Sequence, residues 1–268
     1  MEEPPQTQNL PPETPKPPAM SLVGRLANVI AAPGEAFDVV KNSPPAHANW
    51  LVPALLLIFI SWLGAFLIFS QETTKQQLAE LTEQAIQKQV ERSHLSPEQA
   101  EQARQIGEKW TGISAEIGAM AMPVFIGFAT PFLWGLFLWL LGAKAFKGNF
   151  TYMKAVEAVG LANVILVLDA VVRTLMVLSL NNLYASPSLM LLVVKDFNPQ
   201  NTVHGLLSAV NVMTLWLLAA RSIGLARLSG ASFAKAAACV FGIWLAYTGF
   251  FIALGAAAKA LFSRAGAA

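Results

Sequence analysis

Residues 50–70 read WLVPALLLIFISWLGAFLIFS, an apolar run without one charged side chain. A helix rises 1.5 Å per residue, so about 20 apolar residues cross the ~30 Å hydrocarbon core of a bilayer. Four further runs reach that length, at 118–142, 158–180, 205–226 and 236–258, and the first and last of these also carry no charge. A soluble core helix is seldom so long or so clean, and a signal-peptide apolar segment is shorter. The reading is an all-α, polytopic membrane protein: a five-helix transmembrane bundle over 50–258 with spans at those five runs.

Composition agrees. The chain is 55% hydrophobic and 13% charged, as expected for a bundle that meets lipid on most sides rather than a globular enzyme with one anchor. A net charge of +2 with no clustered basic face argues against nucleic acid as a partner. Cys239 is the single cysteine and falls inside the last run, so neither a disulfide framework nor a zinc site can be built.

Outside the spans, residues 1–19 are proline-rich and have no apolar core, which predicts a disordered cytoplasmic tail and no cleavable leader. Residues 20–42 predict interfacial amphipathic helices. Leu22, Val23, Leu26 and Ile30 share one face, and Pro33-Gly34 breaks the first helix from a second. Residues 71–116 are rich in Gln, Glu and Ala, with a break at 93–97, and predict a polar helical hairpin between spans 1 and 2. Ser96, Pro97 and Gln99 read as a hydroxyl N-cap, a proline at the first helical position and a capping-box partner. The hairpin's apolar seam is thin: Leu78, Leu81, Ala85, Ile86 and Val90 face Ala100, Ala103, Ile106 and Trp110. A solvated hairpin and a partner-binding spike are both compatible with it.

Within the spans, Pro123, Gly127, Pro131 and Gly135 predict a loosened, kinked second helix that neighbouring backbones can approach. Leu189 to Val194 is too short to cross and predicts an interfacial or re-entrant turn. Gly242, Ala246, Gly249 and Ala253 recur on one face of the last span and predict a tight helix contact. Lys144, Lys147 and Lys154 in the second connection, with Arg227 and Lys235 in the fourth, place those loops and the N-terminus in the cytoplasm by the positive-inside rule.

Candidate chemistry is sparse. Asp169 and Arg173 stand one helical turn apart in the third span, where unpaired charge is expensive. The plainer reading is an intramembrane ion pair that fixes packing. The functional reading is an ion or substrate site completed by a polar face of the fourth span, His204, Ser208 and Asn211. Glu157 and Arg221 fall nearer the membrane boundary and read as snorkelling side chains. His47, His94 and His204 are scattered and offer no metal spacing, and no nucleophile elbow, paired intramembrane aspartates or glycine-rich phosphate loop occurs. The expectation is no catalytic residue, no metal and no cofactor.

Several segments resemble the YIP1 family of membrane proteins in its bacterial branch. They are Arg25-Leu26-Ala27 through Ala32-Pro33-Gly34-Glu35-Ala36-Phe37, similar to a P-x-x-x-F element before the first span; Gly148 to Ala155 with Val159-Gly160-Leu161-Ala162; and Leu215-Trp216-Leu217 to Gly224-Leu225 followed by Gly230 to Ala236. The resemblance covers roughly 21–257, with the hairpin as an insertion. It implies a five-span bundle with a cytoplasmic N-terminus, placed in a bacterial inner membrane. The acidic-Leu-Tyr-Gly motifs that the eukaryotic branch associates with small GTPases do not occur here.

Two functions of different class follow. One is a non-enzymatic membrane scaffold or membrane-organising, trafficking-like factor that contacts the lipid bilayer and a protein partner through 71–116, or a second copy of itself. The alternative is a small-solute, ion or lipid transporter or channel using the Asp169/Arg173 region.

Overall fold

A computed structural model describes residues 20–93, 97–198 and 201–265. The elements are α1 (Leu22–Ala31), α2 (Pro33–Asn42), α3 (Ala48–Phe69), α4 (Glu72–Ser93), α5 (Pro97–Trp139), α6 (Tyr152–Ala162), α7 (Val164–Leu180), α8 (Thr202–Ala209), α9 (Val212–Ser229) and α10 (Phe233–Ala265). A π-helical turn, Leu140–Ala145, ends α5, and a 3₁₀ turn, Leu189–Asp196, follows α7. Among the described residues five segments are long and apolar enough to cross a bilayer: Ala48–Phe69, Ile113–Ala145, Tyr152–Leu180, Val212–Ser229 and Phe233–Ala257.

The fourth span begins later than residue 205 because the chain leaves the helix at Val210 and Asn211. Asn211 takes an extended backbone and its Oδ1 accepts from the amides of Met213 and Thr214, which caps α9. The freed backbone pairs with the preceding loop, Leu189 N donating to Val210 O at 3.1 Å and Val212 N to Pro187 O at 3.0 Å. At the other end of α9, Gly230 adopts φ 74°, the left-handed closure that favours glycine.

The N-terminal helices do more than rest on the surface. Val29, Ala36, Phe37 and Val40 are fully buried in one cluster with Ala158, Leu161, Ile165 and Leu217, and Leu22, Leu26 and Ile30 pack against it. Val23, assigned to the same apolar face, points away and is 75% exposed. The apolar stripe of α1 is therefore narrower than its sequence pattern, and α1–α2 close one end of the bundle over α6 and α9.

The second helix runs through Pro123 and Pro131 as one element. Glycine there permits close approach: a Cβ at Gly127 would stand 3.2 Å from Ala54 O, and one at Gly135 would stand 3.1 Å from Val156 Cα. Gly160 meets the Trp50 backbone in the same way. The expected contact of the last span is not made among the described residues, since a Cβ at Gly242 or Gly249 would find nothing within 4 Å. That face of α10 looks outward.

The hairpin is two helices. α5 continues unbroken from the second arm into the membrane, whereas α3 and α4 are separated at Ser70 and Gln71. Ile86 is buried against Gly107 and Arg104 pairs with Glu83 at 2.6 Å. Ile106, placed in the seam by spacing, is 59% exposed, and its neighbour Gly107 meets Ile86 instead; the side chains of Ala85, Val90, Ala100, Ala103 and Trp110 lie outside those described. Ser96, the expected cap, lies outside the described residues. At the hairpin's foot, Gln77 grips the end of α7: its Nε2 donates to Asn181 O at 2.5 Å and its Oε1 accepts from Leu183 N at 3.1 Å.

Candidate functional site

Two polar layers interrupt the apolar bundle, one near each end. The layer at the end closed by α1–α2 is enclosed by protein. Every residue from Lys154 to Ala162 on α6 is buried. Glu157, 1% exposed, accepts from Asn49 Nδ2 at 2.6 Å and lies 3.4 Å from Lys154 Nζ. Lys154 Nζ also donates to Ser43 O at 2.6 Å, which ties the start of α6 to the end of α2. Arg221 on α9, 3% exposed, donates to Asn163 Oδ1 at 3.0 Å and lays its guanidinium 4.4 Å from the Trp134 ring centroid.

This layer overturns the snorkelling expectation for Glu157 and Arg221. Both side chains turn inward, because α1–α2 and the neighbouring spans cover the end of α6 where water or headgroups would have received them. The sequence did carry a signal: Ala155, Ala158, Gly160 and Ala162 leave α6 small on several faces, as a helix surrounded by helices requires. Asn49 Oδ1, Glu157 Oε1 and Arg221 Nε have no hydrogen-bond partner among the described residues.

The second layer lies toward the hairpin end and is open. A cavity of about 380 Å³ is lined by Asp169 and Arg173 of α7, Tyr184 of the following loop, Ser208 of α8, Asn211 and Thr214 at the start of α9, and Thr248 of α10. Three of the five residues singled out from sequence thus share one wall system with a fourth, Ser208. His204, the fifth, is elsewhere: its Nδ1 accepts from Asn198 N at 2.9 Å and its ring stacks on Phe197 at 5.8 Å. The break at Val210 removes the single helical face on which His204, Ser208 and Asn211 were expected to align.

Asp169 and Arg173 do not close on one another. Among the described residues no ion pair joins them within 4.0 Å. Asp169 Oδ1 is buried without a hydrogen bond, with the Asn211 side chain beside the carboxylate, and Arg173 makes neither a hydrogen bond nor an ion pair there. Both also line a smaller cavity of about 230 Å³ on the other side of α7, whose walls are Leu57, Ser61, Met122, Pro123, Ile126 and Leu166. Burial pushes the Tyr184 hydroxyl above its ordinary range, so it stays protonated and able to donate. Among the described residues, no three His, Cys, Asp or Glu side chains gather where a metal could be held.

A polytopic α-helical membrane protein with five spans, capped by an N-terminal helix pair and carrying an extramembrane hairpin, is the class this architecture defines. The Yip1 domain model matches residues 27–255, and the chain belongs to the Yip1 family. No curated protein and no solved structure matches it. The segments that carried the resemblance meet at the closed end: Phe37 of the P-x-x-x-F element packs on Gly224, Arg227 pairs with Asp38 at 3.2 Å across Gly34, and Gly148 abuts Ser229.

Proposed function

We propose that this protein is a non-enzymatic membrane scaffold of the bacterial branch of its family, set in the inner membrane with its N-terminus in the cytoplasm, which presents the hairpin to a protein partner. The observation that carries the reading is the hairpin's attachment. α4 spans 22 residues, about 33 Å of helix, and Gln77 fixes its foot to the backbone of the α7 end rather than leaving it to swing on a linker. Its exposed residues include Glu80, Gln87 and Arg104, with Ile106 as an exposed apolar residue among them. The lysines of the second connection support the orientation, and the inward-turned charges at the closed end support a bundle built for packing.

A photo-crosslinking residue placed at Glu80 or Gln87 in cells tests this. The expected result is one defined crosslinked species, a particular protein or a second copy of this chain, that disappears when residues 72–109 are replaced by a short linker. Absence of any discrete product, together with a reproducible ion flux through the purified protein in liposomes, would overturn it.

A further inference from the structure

The open cavity at Asp169 and Arg173 holds two charges of opposite sign: Asp169 is half-buried with its Oδ1 lacking a hydrogen bond, and Arg173 is exposed and, among the described residues, makes neither a hydrogen bond nor an ion pair. Such groups are costly at membrane depth unless something answers them. We propose that this cavity binds the headgroup of a zwitterionic aminophospholipid, its ammonium on Asp169 and its phosphate on Arg173.

Depth, charge and shape point the same way. Asp169 lies 17 residues beyond Tyr152, Thr214 lies 15 before Ser229, and Thr248 lies 15 beyond Phe233. At 1.5 Å per residue these positions stand about 22–26 Å from the closed end, past the middle of a ~30 Å core and so in the leaflet on the hairpin side, below its headgroup boundary. The third span continues to Leu180 and carries the hairpin anchor beyond that boundary.

A carboxylate oxygen without a donor and a guanidinium without an acceptor, one turn apart on α7, match a ligand that carries a cation and a phosphate on adjacent carbons. Ser208, Asn211, Thr214 and Thr248 supply neutral hydrogen-bonding groups around the pair. An anionic lipid would leave Asp169 unanswered, and a quaternary ammonium cannot donate a hydrogen bond to Oδ1. A smaller cavity on the other side of α7, which Asp169 and Arg173 also line, is walled mainly by Leu57, Met122, Pro123, Ile126 and Leu166, with Ser61. Arg173 is exposed between the exposed apolar Val171 and Leu175, so the pair is reached from the apolar outer surface of the bundle, which favours a lipid over a free solute.

Full-length protein in lipid-free detergent is titrated with phosphatidylethanolamine, phosphatidylcholine, phosphatidylglycerol and soluble glycerophosphoethanolamine, and binding is read by native mass spectrometry and by the shift in melting temperature. Saturable one-to-one binding of phosphatidylethanolamine is expected, with the other three at least about tenfold weaker. Asp169→Asn and Arg173→Gln should each weaken it about tenfold or more, the scale of a lost charged hydrogen bond. Thr248→Phe, which fills the cavity from α10 and removes no charge, should weaken it as well, and keeps the test valid if a charge variant fails to fold. Equal binding of phosphatidylglycerol, equal binding of the soluble headgroup, no saturable binding, or binding indifferent to Thr248→Phe and to whichever charge variants fold would each overturn the proposal.

Discussion

Glu157 sits with Asn49 and Lys154 in a part of the bundle that neither water nor headgroups reach. Breaking a buried pair by removing one member leaves an uncompensated charge, at about 3–5 kcal/mol, whereas replacing both by apolar residues of similar size is often neutral. Lys154→Met should therefore lower the melting temperature in detergent sharply, and Lys154→Met with Glu157→Leu should recover most of the loss; tryptophan fluorescence reads both. A single variant as stable as the parent would show that Asn49 alone suffices for the carboxylate. Asp169 and Arg173 should behave differently, because no ion pair links them. In delipidated micelles, a double-mutant cycle of Asp169→Asn and Arg173→Gln should give a coupling of about 0.5–1 kcal/mol, the low end for residues that share a cavity without bonding to one another. A coupling above about 2 kcal/mol would restore the packing ion pair that their spacing first indicated.

Among the elements, the spans were legible because length and lack of charge are properties of a single stretch, and the hairpin because its break at 93–97 and its proline start are local. What escaped the sequence depended on partners distant in the chain. Asn211 inside an apolar run reads as a polar position on a helix, and only the pairing of Val210 and Val212 with the 187–189 backbone makes it a cap. The cavity follows from that break. Glu157 was misplaced for a related reason: its burial depends on α1–α2 folding back over the bundle, which periodicity in 22–42 does not state. Small residues on α10 were legible as a packing face, but among the described residues nothing packs against Gly242 or Gly249. The hairpin gives the prediction at this scale. Among the described residues its arms meet through Ile86 at Gly107 and the Arg104–Glu83 pair, and its foot is held by Gln77, so replacing 72–109 with a Gly/Ser linker should cost the Asn181 and Leu183 contacts yet leave the spans assembled. Size-exclusion chromatography should show a monodisperse peak, and aggregation would mean that the hairpin is part of the bundle's stability.

Over the whole molecule, five spans require that the two ends of the bundle face different compartments, and the features at those ends are unequal. The closed end gathers α1–α2, the lysines at 144, 147 and 154, and the Asp38–Arg227 contact. The other carries the hairpin, the 3₁₀ loop and the open cavity. Basic residues in short loops are retained in the cytoplasm, and the second and fourth connections carry Lys144, Lys147, Lys154, Arg227 and Lys235 against Lys195 in the third. The closed end should then be cytoplasmic and the cavity should face outward. Single cysteines in a Cys239→Ala background test this directly at positions that are exposed in the fold. In intact cells, Gln99→Cys and Asp196→Cys should react with a membrane-impermeant maleimide, while Asn42→Cys and Asn149→Cys should react only after the membrane is opened. Reaction of the 42 and 149 positions with protection of 99 and 196 would invert the molecule, and would turn the cavity and the hairpin toward the cytoplasm.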